Sequence, residues 1–292
     1  MIADPEHVDV RAALKRGIAE LRDANVPSYT LATEMLLLHV LGRDRAWLYA
    51  HSEETVPGLD AHRFLSLILR RASGEPTQYI IGKQEFWGLE FEVTPDVLIP
   101  RPETETLVSA ALEALTAHPA ANVIDLGTGS GAIALAIAVN APHARVTATD
   151  ISVQALEIAK QNARRLGVDG RVDFRRADCW DILDAGGALE RYDLIVANPP
   201  YIREDEINSL APEVRDFEPR IALAGGVDGL DFYRRIAAGA AEHLAAEGVA
   251  IIEVGAGQAN DVAAIFSTEG FHDIAIVDDL AGIPRVVKTR QT

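Results

Sequence analysis

The chain has one cysteine, Cys179, in 292 residues. That excludes an internal disulfide and any cysteine-built metal centre, and it predicts a cytoplasmic setting. The eight histidines include no H-x-x-x-H or similar ligand spacing, so no metal is expected. Basic residues are few: 27 Lys and Arg against 44 Asp and Glu give a formal net charge of −17. Such a surface repels phosphate backbones, so direct nucleic-acid binding is not expected, although a cationic ligand or a basic protein partner stays open. No apolar run reaches the roughly 18 residues that a membrane span needs. The first ten residues carry acid rather than a basic n-region, which speaks against a secretory signal. No internal repeat or low-complexity tract stands out. Hydrophobic residues make up 48% of the chain, enough for a full core in one large domain or two smaller ones, and a monomer is expected.

Residues 1–73 have helical spacing throughout. Apolar positions recur at Val10, Leu14, Ile18 and Leu21, then at Leu31, Met35, Leu38 and Leu41, then at Leu59, Phe64, Leu67 and Ile68. Asn25-Val26-Pro27-Ser28 and Val56-Pro57-Gly58 punctuate them, which predicts a bundle of four or five helices. Residues 74–100 change character. Gln78–Gly82 and Leu89–Val93 have strand composition around Phe86-Trp87-Gly88, so a β-hairpin linker is predicted. Residues 101–292 open on Arg101-Pro102-Glu103-Thr104-Glu105, with proline and acid where a helix starts.

From about residue 120 strands and helices alternate. Strands are predicted at Val123–Leu126, Arg145–Thr149, Arg171–Arg175, Tyr192–Ala197, Val249–Val254, Ile274–Val277 and Arg285–Thr289. This rhythm predicts an α/β fold with a mostly parallel, doubly wound sheet. Asp278–Pro284 is too short for a helical crossover, so the last two strands should be antiparallel. Seven strands ending in such a hairpin resemble the Rossmann-like sheet of class I S-adenosylmethionine-dependent methyltransferases.

Asp125-Leu126-Gly127-Thr128-Gly129-Ser130-Gly131 joins the first of these strands to its helix. Its glycines allow a tight turn and close approach to a ligand, and the helix behind offers free N–H groups. Asp150, at the end of the next strand, suits the two hydroxyls of an adenosine ribose. Asp178-Cys179-Trp180 follows the third strand, in place for an adenine edge and face. The loop alone fits a nicotinamide dinucleotide as well as S-adenosylmethionine. Asp125, beside it, could orient a methionine ammonium directly or through water.

The fourth strand ends in Asn198-Pro199-Pro200-Tyr201. Each proline fixes φ and lacks an N–H. The carbonyls of Asn198 and Pro199 can therefore face a cleft without local donors competing for them. The asparagine side chain adds an acceptor and the tyrosine a flat wall. Such a set suits a planar –NH2 group, whose two N–H bonds meet two fixed acceptors while its lone pair is aimed at an electrophile. A dehydrogenase has no use for this arrangement, whereas an amino-methyltransferase does.

Together these motifs resemble the bacterial protein-(glutamine-N5) methyltransferases of the HemK type, which modify peptide chain release factors. The resemblance runs through Pro212-Glu213-Val214, Glu218-Pro219-Arg220 and Asp228-Gly229-Leu230 and covers nearly the whole chain. It implies S-adenosylmethionine held by Gly127, Thr128, Gly129, Ser130, Gly131, Asp150, Trp180 and Asn198. It implies a substrate glutamine, in a Gly-Gly-Gln loop, lined by Asn198, Pro199, Pro200 and Tyr201, of which Asn198, Pro199 and Tyr201 serve the chemistry. The 1–73 bundle would recognise the protein substrate. Arg101 and Glu103 are read either as linker ion-pair residues or as helping to close the site. A sister family that methylates a ribosomal-protein glutamine shares much of the catalytic domain. A DNA or RNA amino-methyltransferase, with a flipped base on Tyr201, is disfavoured by the acidity. A cofactor-binding regulatory module is disfavoured by the intact Asn198–Tyr201.

Overall fold

The computed structural model describes residues 8–181 and 190–290. They form two compact units, one running to Gly82 and including Ala211–Phe217, the other holding Lys83–Leu210 and the chain from Glu218 onward.

The first unit is helical: α1 (Val10–Asp23), α2 (Tyr29–Leu41), α3 (Arg45–Ala50), α4 (Gly58–Ala72) and α5 (Thr77–Ile81). A two-residue antiparallel pair, β1 (Val8–Asp9) with β2 (Thr55–Val56), ties the start of α1 to the segment before α4. Asp9 caps α1, its Oδ1 accepting the Ala12 N–H at 2.7 Å. Val10, Ala13, Gly17 and Leu21 share the buried face. Gly17 is glycine because a Cβ there would lie 2.7 Å from Thr33 and 2.9 Å from the Phe64 ring. Leu21, Leu36, Leu37, Leu48, Phe64 and Ile68 fill the centre.

The expected strand at Gln78–Gly82 is a helix instead. Pro76 opens α5, and Gly82 closes it in the left-handed region at φ 74°. Tyr79 and Ile80 are consecutive and both buried, a pattern that an alternating strand cannot give. Burial in the helical core overrides the β preference of these side chains. The segment Ala211–Phe217 carries the short α9 (Pro212–Arg215). Glu213 there pairs with Arg71, whose side chain is almost wholly buried.

The second unit begins with the hairpin β3 (Lys83–Phe86) and β4 (Leu89–Glu92). Trp87 and Gly88 turn it at positive φ, 56° and 69°, as a two-residue hairpin turn requires. A 3-10 turn at Pro102–Thr104 leads into α6 (Glu105–Leu115). The sheet then builds from β5 (Asn122–Leu126), β6 (Arg145–Asp150), β7 (Val172–Arg176), β8 (Tyr192–Ala197), β9 (Leu244–Glu253), β10 (His272–Asp278) and β11 (Pro284–Arg290). Its order is β10-β11-β9-β8-β5-β6-β7, parallel except that β11 runs antiparallel to both its neighbours. Among the described residues four helices connect the strands: α7 (Ala132–Asn140), α8 (Val153–Arg165), α10 (Asp231–His243) and α11 (Ala259–Thr268). Residues of α6 and α7 share one apolar cluster with β5 and β6, and residues of α10 and α11 share a second with β8 and β9. The fold is the expected α/β arrangement with its C-terminal antiparallel hairpin.

Strand order reverses at β5, which has β6 on one side and β8 on the other. Ligands of open parallel sheets bind in the crevice beyond the carboxyl ends of the strands at such a point. Both sequence motifs lie there: Gly127–Gly131 follows β5, and Asn198–Tyr201 follows β8.

Candidate active site

A cavity of about 240 Å³ opens beyond the ends of β5, β6, β7 and β8. Gly127, Gly129, Asp150, Asn198, Pro199 and Pro200 all line it, so the structure brings most of the expected site residues together.

The glycine loop is stitched to the end of β6. The N–H groups of Gly127 and Thr128 both donate to the Thr149 carbonyl, at 2.9 and 2.8 Å. Gly127, Gly129 and Gly131 have φ of 75°, 55° and 84°, a region that L side chains avoid. The three have different reasons to be bare. A Cβ on Gly131 would press on Leu135 at 2.9 Å and on Ala159 at 3.2 Å, so that glycine serves helix packing. A Cβ on Gly127 or Gly129 would meet nothing within 4 Å, so the backbone there is open to a ligand. Thr128 and Ser130 are buried and do not line the cavity with their side chains. They shape the loop: the Thr128 hydroxyl donates to Asp125 at 2.6 Å, and the Ser130 carbonyl accepts from Asn162 at 2.9 Å.

Asp150 accepts the Gly129 N–H on Oδ2 at 2.9 Å and the Ser152 N–H on Oδ1 at 2.8 Å. Each carboxylate oxygen still has a lone pair left for a diol. Burial pushes its pKa up, against the pull of those backbone donors. Asp125, read from the sequence as able to orient a methionine ammonium directly or through water, is fully buried and does not line the cavity. Its Oδ2 takes the Thr128 hydroxyl and the Ala134 N–H, while its Oδ1 has no partner. Burial raises its carboxyl to about 7. Asp125 therefore anchors the loop to the first turn of α7.

The proline motif is held from both sides. The Asn198 Nδ2 donates to the Thr104 hydroxyl at 3.2 Å, which leaves Oδ1 as the free end of the amide. Among the described residues no hydrogen bond ends on the carbonyl of Asn198 or Pro199. Gln258 Nε2 donates to the Tyr201 carbonyl at 3.1 Å. Gly225 accepts no side chain, since its Cβ would lie 2.7 Å from the Tyr201 Cα. A Cβ on Gly255 would likewise meet the Tyr201 ring at 2.9 Å. These glycines let neighbouring backbone close around the motif. Burial raises the Tyr201 pKa, with Glu253 adding to the shift, so the phenol stays protonated.

Two family models match the chain: the PrmC N-terminal domain over residues 12–82 and the methyltransferase small domain over residues 104–213. A release factor glutamine methyltransferase of Geobacter sulfurreducens is 43% identical over 290 residues, covering 99% of each chain. The chain belongs to the release factor glutamine methyltransferase family. A second relative of that name, from Bordetella pertussis, is 45% identical over 266 residues, 91% of this chain and 96% of its own. Among solved structures, a methyltransferase from Pyrococcus furiosus superposes with a TM-score of 0.51 at 17% identity, covering 78% of this chain and 97% of that one, and shares the fold.

Within this glutamine methyltransferase scaffold two expected aromatic side chains stand outside the cavity wall: Tyr201, which packs against the apolar cluster of β8 and β9, and Trp180. The Trp180 Nε1 donates to the carbonyls of Arg235 and Ile236 at 3.1 Å, and its ring stacks on His243 at 4.4 Å. The physical reason is Cys179, whose φ of 57° turns the chain so that the next side chain falls on α10. Cys179 lines the cavity in its place. Burial raises its thiol to about 11, so it is an apolar wall and not a nucleophile.

Sequence reading missed the rest of the wall. Ile151 and Phe232 supply apolar faces, and Asp96–Leu98, after the hairpin, closes another side. Arg235 bonds Asp178 at 2.6 Å along the rim. A large apolar residue directly after Asp150 is the one signal that marked Ile151. Arg101 makes a two-pronged contact with Glu218, at 2.6 and 2.8 Å, and Pro219 next to it lines the cavity. The ion-pair reading of Arg101 is the one this contact matches, and Arg101 itself does not line the cavity. Glu103 is exposed, with its charge felt at Tyr201 and Glu253. Among the described residues no group of three or more His, Cys, Asp or Glu is placed to hold a metal. No described helix is long and apolar enough to cross a membrane.

Proposed function

We propose that this chain transfers a methyl group from S-adenosylmethionine to the side-chain amide nitrogen of the glutamine in the Gly-Gly-Gln motif of peptide chain release factors. The observation that carries the reading is the free Asn198 Oδ1 beside the uncommitted Pro199 carbonyl at the switch point of the sheet.

The cavity fits the donor. Gly127 and Gly129 offer open backbone, Asp150 keeps acceptor capacity for a ribose diol, and Ile151, Cys179 and Phe232 form an apolar slot for a purine. When bound, S-adenosylmethionine supplies a methyl on a positively charged sulfur. The residues of this chain do the aligning. An amide nitrogen is a poor nucleophile because its lone pair is delocalised into the carbonyl. Asn198 Oδ1 and the Pro199 carbonyl accept its two N–H bonds, which raises electron density on nitrogen and fixes the direction of the lone pair. Such positioning supplies roughly 7–11 kcal/mol in favourable cases. Tyr201 walls the amide. The methyl would pass from sulfur to the amide nitrogen held at Asn198 Oδ1 and the Pro199 carbonyl, the sulfur would keep the electrons of its broken bond, and the nitrogen would release one proton to water.

The helical unit, with no cofactor residue of its own, recognises the release factor in this reading. The protein works as a monomer in the cytoplasm, without metal and without direct contact to nucleic acid. Tritiated methyl transfer into purified release factor, ribosomal proteins and DNA tests the proposal. Label in the release factor alone supports it. Label in a ribosomal protein points to the sister activity, and label in DNA overturns the protein-substrate reading.

A further inference from the structure

Glu253 is the last residue of β9 and is 1% exposed, yet the proposed chemistry gives it no task. Its Oε2 is buried and has no hydrogen-bond partner. β8 and β9 run parallel with Ala197 opposite Ile252, so Glu253 ends β9 where Asn198 follows β8. Against the effect of burial, the Thr104 hydroxyl holds the Glu253 pKa down, as a donor near the carboxylate does. The same hydroxyl accepts the Asn198 N–H at 3.2 Å. A hydroxyl has one proton to give and lone pairs to accept with. It therefore passes a direction along the chain from Glu253 to Asn198.

We infer that Thr104 and Glu253 are positioning residues: the Glu253 carboxylate takes the Thr104 proton, Thr104 must then accept from Asn198 Nδ2, and Asn198 Oδ1 is thereby fixed as the end offered to the substrate amide. This rests on the proposed function. A side-chain amide is nearly symmetric in shape, so packing alone does not choose between its two ends. The substrate nitrogen carries only donors, and a flipped Asn198 would meet it N–H to N–H.

The arrangement also sets a pH dependence. Burial raises the Glu253 carboxyl to about 7, against the Thr104 interaction and the charges of Arg285 and Arg101, with Glu103 adding to the rise. Tyr201 and Tyr233 also face this carboxylate and feel its charge. Both cations have other acid partners, Arg285 on Asp279 and Arg101 on Glu218. Once protonated, Glu253 becomes a donor, the Thr104 proton swings toward Asn198, and the flipped amide is favoured. Turnover should fall as pH drops through the Glu253 pKa.

Thr104→Val, Thr104→Ser and Glu253→Gln test this in the full chain with whole release factor. Thr104→Val should lower kcat by about ten- to a hundredfold, with the S-adenosylmethionine Kd little changed. Serine should restore most of the loss. Glu253→Gln should flatten the fall in kcat below about pH 7 that the unsubstituted protein shows. An independent readout is NMR: the Glu253 carboxyl and the Asn198 side-chain amide should titrate together, and the Asn198 signal should stop titrating in Thr104→Val. Normal turnover in Thr104→Val, an unaltered acid limb in Glu253→Gln, or an Asn198 amide indifferent to Glu253 overturns the inference. If the unsubstituted protein methylates no release factor, the proposed function fails, and the NMR titration still decides this point.

Discussion

The Gly129 N–H and the Asp150 Oδ2 are 2.9 Å apart across 21 positions of sequence. One hydrogen bond thus joins the loop after β5 to the end of β6 and presents two cofactor determinants as a single surface. Asp150→Ala should weaken S-adenosylmethionine binding on two counts, by removing the diol acceptor and by freeing the loop. Hydrogen bonds to a charged group are worth about 1.5–3 kcal/mol each, so a loss of roughly ten- to a hundredfold in affinity is expected. Calorimetry checks it. An unchanged Kd would place the ribose elsewhere.

Asp125 predicts how stability depends on pH. Its folded carboxyl is raised from 3.8 to about 7 by burial, so between those values the folded state holds a proton that the unfolded state has lost. Stability from this residue is therefore greatest at low pH and declines as pH rises through that window. Asp125→Asn cannot ionise and can keep the Thr128 and Ala134 contacts. Relative to the variant, the unsubstituted protein should lose stability at up to about 1.4 kcal/mol per pH unit. Urea unfolding at several pH values reads the slope, and parallel curves for the two proteins would contradict it.

Tyr201 should act through its ring. Its backbone is pinned by Gln258, and its ring sits where Gly255 leaves room. Tyr201→Phe should retain most methyl transfer, and Tyr201→Ala should lose most of it. Equal damage from both would give the hydroxyl a chemical role.

The helical unit is expected to matter for the protein substrate and not for the cofactor. A shortened chain beginning at Lys83 keeps Gly127–Gly131 and Asp150. It should bind S-adenosylmethionine and lose most activity on whole release factor. Methylation of a short Gly-Gly-Gln peptide should change much less. Equal losses on both substrates would make the unit a stabilising cap.

Much of this was legible in the sequence because the sheet unit obeys simple periodicity. Ser152 was expected at a helix start and is the N-cap of α8. Tyr192–Ala197 has the bounds that its apolar run suggested. Both glycine loop and proline motif followed strands, as their chemistry needed. What was not legible depends on contacts distant in sequence. Gln78–Gly82 has strand composition, and only the helical core around Ile80 makes it a helix. Trp180 looks the better partner for adenine, and only the left-handed backbone at Cys179 sends it elsewhere. Asp125 is two positions before the loop, and nothing local says that it points beneath it. Thr104 and Glu253 are far apart in the chain, and only the fold brings both toward Asn198.

The central claim is that Asn198 holds the substrate amide. Asn198→Ala, tested by mass spectrometry of a release factor incubated with enzyme and S-adenosylmethionine, addresses it most directly. The account predicts one methyl group on the Gly-Gly-Gln glutamine with the unsubstituted protein. It predicts none with the variant, whose fold and much of whose cofactor affinity are retained. Near-normal methylation of that glutamine by a folded Asn198→Ala protein would contradict it.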